Sequence, residues 1–221
     1  DGTGEPGFIN QDMLVANNSG LDEYLRTGAF CGSKKYQVAE ATRPLMKALA
    51  RAAAAAPYGQ ITNPCGEISL FMLGGYCVVG DVVPYHAEDD DEAEEAFRAA
   101  TRALIRTNLM DCLYAPETRR TNRIGVGITG LHEYALARFG LGFRDMLDLE
   151  KSLPFWRMLA RFRRAVHEEA VTYSATLGLV SPHTESTIKP AGTTSKLFGL
   201  TEGACGQIVD AGDDDRRSQQ L

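Results

Sequence analysis

The segment Asn63-Pro64-Cys65-Gly66-Glu67 places an amide, a thiol and a carboxylate at alternate positions. Pro and Gly flank the cysteine, so the segment reads as a loop and not as the interior of a strand. In an extended loop, side chains two apart point the same way. Asn63, Cys65 and Glu67 would then converge on one small volume. Such a set suits chemistry on a ribose: the amide and the carboxylate bind or deprotonate hydroxyls, and the thiol reacts. Taken alone, Cys65 reads equally as a small buried residue in a turn, because free cysteine is among the most buried residue types.

A second group lies at Ala191-Gly192-Thr193-Thr194-Ser195. It follows a strand-like stretch, Thr187-Ile188-Lys189, and should open a helix. Free backbone N–H groups and hydroxyls at such a start suit an anion, and Gly192 allows close approach. A capped helix start without a ligand explains the same residues. A third group, Gly125-Val126-Gly127-Ile128-Thr129-Gly130, has the spacing of a dinucleotide-binding turn, with Asp145 or Asp148 about 20 residues onward. No clear strand ends at either acid, so the preferred reading is a tight strand-to-helix turn. An NAD-dependent oxidoreductase built on these glycines is the alternative.

The elements that must carry these groups alternate between strand-like and helical runs, which indicates an α/β fold. Residues 1–35 read as irregular and 36–56 as an Ala-rich helix. Tyr76–Val79 and Val82-Val83 are strand-like. An acidic run from Glu88 to Glu95 should start a helix reaching about Tyr114, with Asp91 as N-cap and Cys112 in the core. Ile124–Val126 reads as a short strand and Leu131–Phe139 as a helix. A long helix is expected over Phe155–Leu177, with Leu159, Phe162, Val166, Ala170, Tyr173 and Leu177 in one stripe and Gly178 ending it. Arg157, Arg161, Arg163 and Arg164 fall mostly off that stripe and read as a solvated face.

The 221 residues carry a net charge of −6, so no bulk basic field recruits nucleic acid or an anionic membrane. No apolar run approaches membrane-spanning length, and nothing resembles an export signal. The five cysteines, Cys31, Cys65, Cys77, Cys112 and Cys205, are odd in number and lack metal-site spacing. They point to a reducing compartment, hence the cytoplasm, and away from a disulfide framework or structural zinc. His86, His132, His167 and His183 are isolated and read as surface or packed residues. The chain starts at Asp1 without Met and is expected to begin inside a larger protein. Ala204–Leu221 is polar and aperiodic, so a tail at 204–221 without regular structure is expected, from a frame error or truncation, after a domain at 1–203.

Asn-x-Cys-x-Glu resembles the finger-loop motif of ribonucleotide reductases, and Asn63–Glu67 is most similar to the adenosylcobalamin-dependent, class II branch. Gly74-Gly75-Tyr76-Cys77 resembles that family's second cysteine segment. Thr121–Gly127 is similar to its next barrel strand, and Ser186–Thr193 to its phosphate loop. The order and rough spacing agree over about Gly4 to Gly203. The resemblance implies part of a ten-stranded α/β barrel with a central finger loop. By position it implies a transient thiyl radical on Cys65 that removes the ribose 3′ hydrogen, Glu67 as base, and Asn63 bound to the ribose hydroxyls. Cys77 would be one of two thiols reducing the 2′ position. Its partner lies upstream in the family, and Cys31 does not sit in that context, so the partner is expected outside this chain. Ala191–Ser195 would hold the substrate phosphates. Implied too are adenosylcobalamin as radical source, a ribonucleotide substrate (triphosphate by overall similarity) and a dithiol reductant such as thioredoxin. The iron-dependent class I chain is the alternative within the family; the short step from Cys65 to Cys77 favours class II. A non-catalytic binding module keeping the same fold is the reading outside catalysis.

Overall fold

The computed structural model describes residues 60–63, 65–66, 68–71, 76–112 and 115–202. The expected helix at 36–56, Glu67 and the tail at 204–221 lie outside these residues. Strands β1 (Gln60–Thr62) and β2 (Ser69–Phe71) pair antiparallel, with Thr62 opposite Ser69. Strand β3 (Val79–Val82) pairs in parallel with β4 (Gly125–Ile128). The reading that split this region at Gly80-Asp81 is corrected: β3 runs through both. Asp81 is tolerated there because Lys189 Nζ lies 2.9 Å from its Oδ2.

The far side of β4 meets the segment 184–187, again in parallel. Val126 N–H donates to Glu185 O, Thr187 N–H to Val126 O, and a bridge joins Val126 and Ser186. The expected strand at 187–189 is thus a single bridge centred one residue before it. All four β4 residues are buried, as befits a parallel strand covered on both faces. Parallel neighbours need crossover connections, and helices supply them.

Helix α1 (Asp90–Thr107) joins β3 to β4 after one 3₁₀ turn at Pro84–His86. Its N-cap is Asp89, not Asp91: the Asp89 carboxylate accepts from the N–H groups of Asp91 and Glu92. It also stops well before Tyr114. Asn108 is buried, and its Nδ2 donates to Arg123 O and Asn122 Oδ1, which draws the chain off the helical course. Cys112 consequently lies beyond the helix and half-buried, not in the core. Helix α2 (Ala115–Thr121) follows, then β4, α3 (Leu131–Phe139) and the short α4 (Phe143–Met146).

Helix α5 (Leu149–Thr176) starts six residues before the expected Phe155. Asp148 caps it through the N–H groups of Glu150 and Lys151, and Pro154 is accommodated near its start. Its end is the expected one. Gly178 is left-handed at φ +67, donates to Ala175 O, and Leu179 donates to Ser174 O, a Schellman closure. Helix α6 (Gly192–Phe198) is last.

Helices α1 and α5 pack on each other over the sheet. Phe97 stacks on Phe162 with centroids 4.8 Å apart, and Phe155, Val166 and Ala170 extend the buried stripe. Arg161 bridges to Asp91 and Glu94, and Arg98 and Arg102 bridge to Glu168 and Glu169. Arg157, Arg163 and Arg164 are exposed, as a solvated face requires. Behind this pair, Asn122 is buried with φ +46, and its Nδ2 donates to Ser174 Oγ and Val180 O. Among the described residues no helix is long and apolar enough to cross a membrane, and no cluster of metal-ligating side chains occurs.

Candidate active site

The loop between β1 and β2 carries Asn63, Cys65 and Gly66. It is not extended. Gly66 N–H donates to Asn63 O at 2.9 Å, and Gly66 has φ +81. Asn at the first position, Pro at the second and Gly at the fourth suit such a turn. Alternation of side chains therefore does not govern the loop, and the expected shared direction of Asn63 and Cys65 rests on a geometry that is absent. Asn63 is buried whereas Cys65 is exposed.

Asn63 is fixed at both ends. Its Oδ1 accepts from Ile68 N–H at 3.0 Å, and its Nδ2 donates to Cys77 Sγ at 3.0 Å. A second tie, from Asn63 N–H to Ile68 O, closes the base of the loop. Ile68 is buried beside β4, so that a Cβ on Gly125 would come within 3.0 Å of its Cδ1. The hairpin is thereby anchored on the central strand, and Asn63 reaches Cys77 from that anchor. Cys77 is half-buried and lies two residues before the start of β3, where a strand position was expected. The structure brings Asn63 and Cys77 together; Glu67 lies outside the described residues.

The segment 191–195 is separate in character. Ala191 is buried and supplies no side-chain cap to α6. Thr193 is exposed, Thr194 half-buried, and Ser195 buried with its hydroxyl donating to Gly192 O at 3.3 Å. The N–H groups of the first turn lack partners within the helix, as in any helix start. The carboxylate of Glu202 lies beside Gly192.

Sequence reading missed Asp81 and Lys189. Asp81 has a side chain only 2% exposed, and its Oδ1 would lie 2.5 Å from a Cβ on Gly127. The pair fastens the approach to Ala191 onto β3. A carboxylate inside a strand, with a glycine on the facing strand, was the available signal.

The glycines at 125–130 are accounted for by packing. A Cβ on Gly125 would meet Thr187 Cγ2 at 2.7 Å, and one on Gly130 would meet Leu200 Cδ1 at 2.8 Å. Gly130 is left-handed at φ +74 and starts α3. The space a pyrophosphate would need is filled by this chain's own atoms. Asp145 pairs with Lys151 and Asp148 caps α5, so neither stands at a strand end to meet a ribose. The dinucleotide alternative is thus corrected to the strand-to-helix turn.

Electrostatics outside the loop are structural. Arg98 and then Arg161 hold Glu94 below the ordinary carboxylate range, against the opposing effect of burial. Burial, and then the hydrogen bond to Asp90, pushes Tyr134 up.

No protein-family model matches the chain. Among curated proteins it is 34% identical over 159 residues to the adenosylcobalamin-dependent ribonucleoside-triphosphate reductase of Lactobacillus leichmannii. That match covers 64% of this chain and 21% of the relative. The enzyme of the same name from Lactobacillus helveticus is 34% identical over 161 residues. The crystal structure of a B12-dependent (class II) ribonucleotide reductase superimposes with a TM-score of 0.53 at 27% identity, covering 64% of this chain and 22% of that one. The chain is related in sequence and in fold to the ribonucleotide reductases. The similarity is to the adenosylcobalamin-dependent, class II enzymes. It spans about a fifth of the length of the curated relatives it matches, at 21%.

Proposed function

We propose that this chain is a segment of the catalytic barrel of an adenosylcobalamin-dependent ribonucleotide reductase, acting in the cytoplasm on ribonucleoside triphosphates. The observation that carries the reading is the 3.0 Å contact between Asn63 and Cys77. It joins two segments that the family's motifs assign to one site, across 14 residues of chain. The parallel pairing of β3, β4 and Ser186 is the arrangement that successive strands of the ten-stranded barrel would have.

In this reading Cys65 carries the thiyl radical and takes the 3′ hydrogen of the ribose. Its exposure at the tip of the turn fits a sulfur that must meet groups outside the described residues. Adenosylcobalamin, when bound, supplies the radical; no described residue is assigned to hold it. Glu67 takes the proton of the 3′ hydroxyl, and Asn63 orients the ribose hydroxyls. Cys77 is one of the two thiols that give up electrons at the 2′ position, and a dithiol reductant such as thioredoxin restores them. The first-turn N–H groups at Gly192, Thr193 and Thr194 receive the substrate phosphates, with Thr193 the most open. Ser195 shapes that turn from within, because its hydroxyl is already used.

The test is reduction of a ribonucleoside triphosphate by the full-length protein that carries this segment, with adenosylcobalamin and a dithiol. Deoxyribonucleotide is expected only when all three are present, and Glu67→Gln should slow it by roughly 10²–10⁴. The 221-residue chain alone is expected to make none. Absence of product from the complete mixture, or product unaffected by Glu67→Gln, overturns the reading.

A further inference from the structure

Asn63 is a buried polar side chain on a loop, and both ends of its amide are engaged. Its partners settle which way the amide faces. The Ile68 N–H can only donate, so the atom 3.0 Å from it is the carbonyl oxygen. The opposite end is then the NH₂ group, and it meets Cys77 Sγ at 3.0 Å. Sulfur is therefore the acceptor in this contact. A donor that faces a titratable atom favours the charged form, because hydrogen bonds to ions are the stronger ones.

We propose that Asn63 is a positioning residue for Cys77: its amide holds the Cys77 sulfur in place and favours the thiolate. The inference rests on the geometry of the loop and stands apart from the reductase reading. It gives Asn63 a task on sulfur in addition to the proposed one on the ribose. The thiolate is the nucleophile in disulfide exchange and in alkylation, so the amide sets how readily Cys77 reacts. Three links make the device: Ile68 is wedged against Gly125 on β4, the Ile68 N–H fixes the Asn63 oxygen, and one N–H of the Asn63 amide is thereby directed at Cys77 Sγ.

The experiment measures alkylation of the full chain by iodoacetamide across pH 6–10, resolved by cysteine through peptide mass spectrometry. In the wild-type chain, Cys77 should react with a pH midpoint below that of the same residue in the urea-unfolded chain. Asn63→Leu should slow Cys77 about fivefold at pH 7 and move its midpoint upward, with the high-pH plateau unchanged. The size is that of one hydrogen bond gaining strength on an ionised acceptor. Asn63→Asp retains an oxygen for the Ile68 N–H but sets a carboxylate against the sulfur, so its upward shift should be larger. Cys65, exposed on the same loop, should keep its rate and profile in every chain. A wild-type midpoint equal to or above the unfolded one overturns the proposal. So do unchanged midpoints in both variants, or faster reaction of Cys77 and Cys65 together at every pH, which would make Asn63 a strut alone.

Discussion

The α1–α5 helix pair and the β1–β2 hairpin are held by opposite strategies. The helix pair is redundant. Aromatic stacking of Phe97 on Phe162, a buried stripe along α5 and several Arg–carboxylate bridges all bind the same two elements. Among the described residues, the hairpin loop is tied by a turn closed by Gly66, the paired contacts of Asn63 with Ile68, and a bridge from Asn63 to Cys77. Redundancy suits a scaffold, where losing one contact leaves the rest. A polar tie suits a site, where an amide helps decide where a thiol stands. Substitutions in the first region should therefore change stability, and those in the second should change reactivity.

The largest stability effect should come from the scaffold. Phe162→Ala removes a buried ring and should cost about 3–5 kcal/mol, read as a lower midpoint in urea. A loss below 1 kcal/mol would show that the stack is not the centre of this core. Asn122→Ala should come next, at roughly 2–3 kcal/mol, since Ser174, Val180 and Asn108 would all lose a buried partner. Asp89→Ala removes the cap of α1 and should cost about 1 kcal/mol, whereas Asp91→Ala should not cost a cap. Equal losses from both would contradict the cap assignment.

The smallest effect is electrostatic. Glu94 is held low in the folded chain by Arg98 and Arg161. A carboxylate depressed by folding stabilises above its unfolded value and loses that contribution as pH falls through its folded one. Thermal melts below pH 4 should therefore fall more steeply for the wild type than for Glu94→Gln. Parallel curves would remove the bridge from the account. Arg161→Ala at neutral pH should lower the thermal midpoint less than any of the substitutions above, because ion pairs open to water are worth little.

The same contrast explains what could be read without a structure. Helix α3 and the end of α5 were legible because caps and period are local: Gly178 closes α5 where expected. The start of α5 was not: Asp148 caps a helix that begins at Leu149, ahead of the expected Phe155, and Pro154 is accommodated inside it. The end of α1 depends on Asn108 meeting Asn122 and Arg123, partners far along the chain. In the candidate site, the motifs single out Asn63, Cys65 and Cys77 but do not give their geometry. Alternation assumed an extended backbone, and the Asn63–Gly66 turn replaced it. The ion pair of Asp81 and Lys189 depends on β3 lying beside β4, which no local pattern states.

In the proposed function Cys65 does the chemistry, and its exposed side chain bears no structural load. Cys65→Ser in the full-length protein tests it, with deoxyribonucleotide formation and thermal midpoint measured on the same sample. No detectable product and an unchanged midpoint are expected, because a hydroxyl cannot carry the radical and the side chain is exposed. Turnover near the wild-type rate in that variant would contradict it.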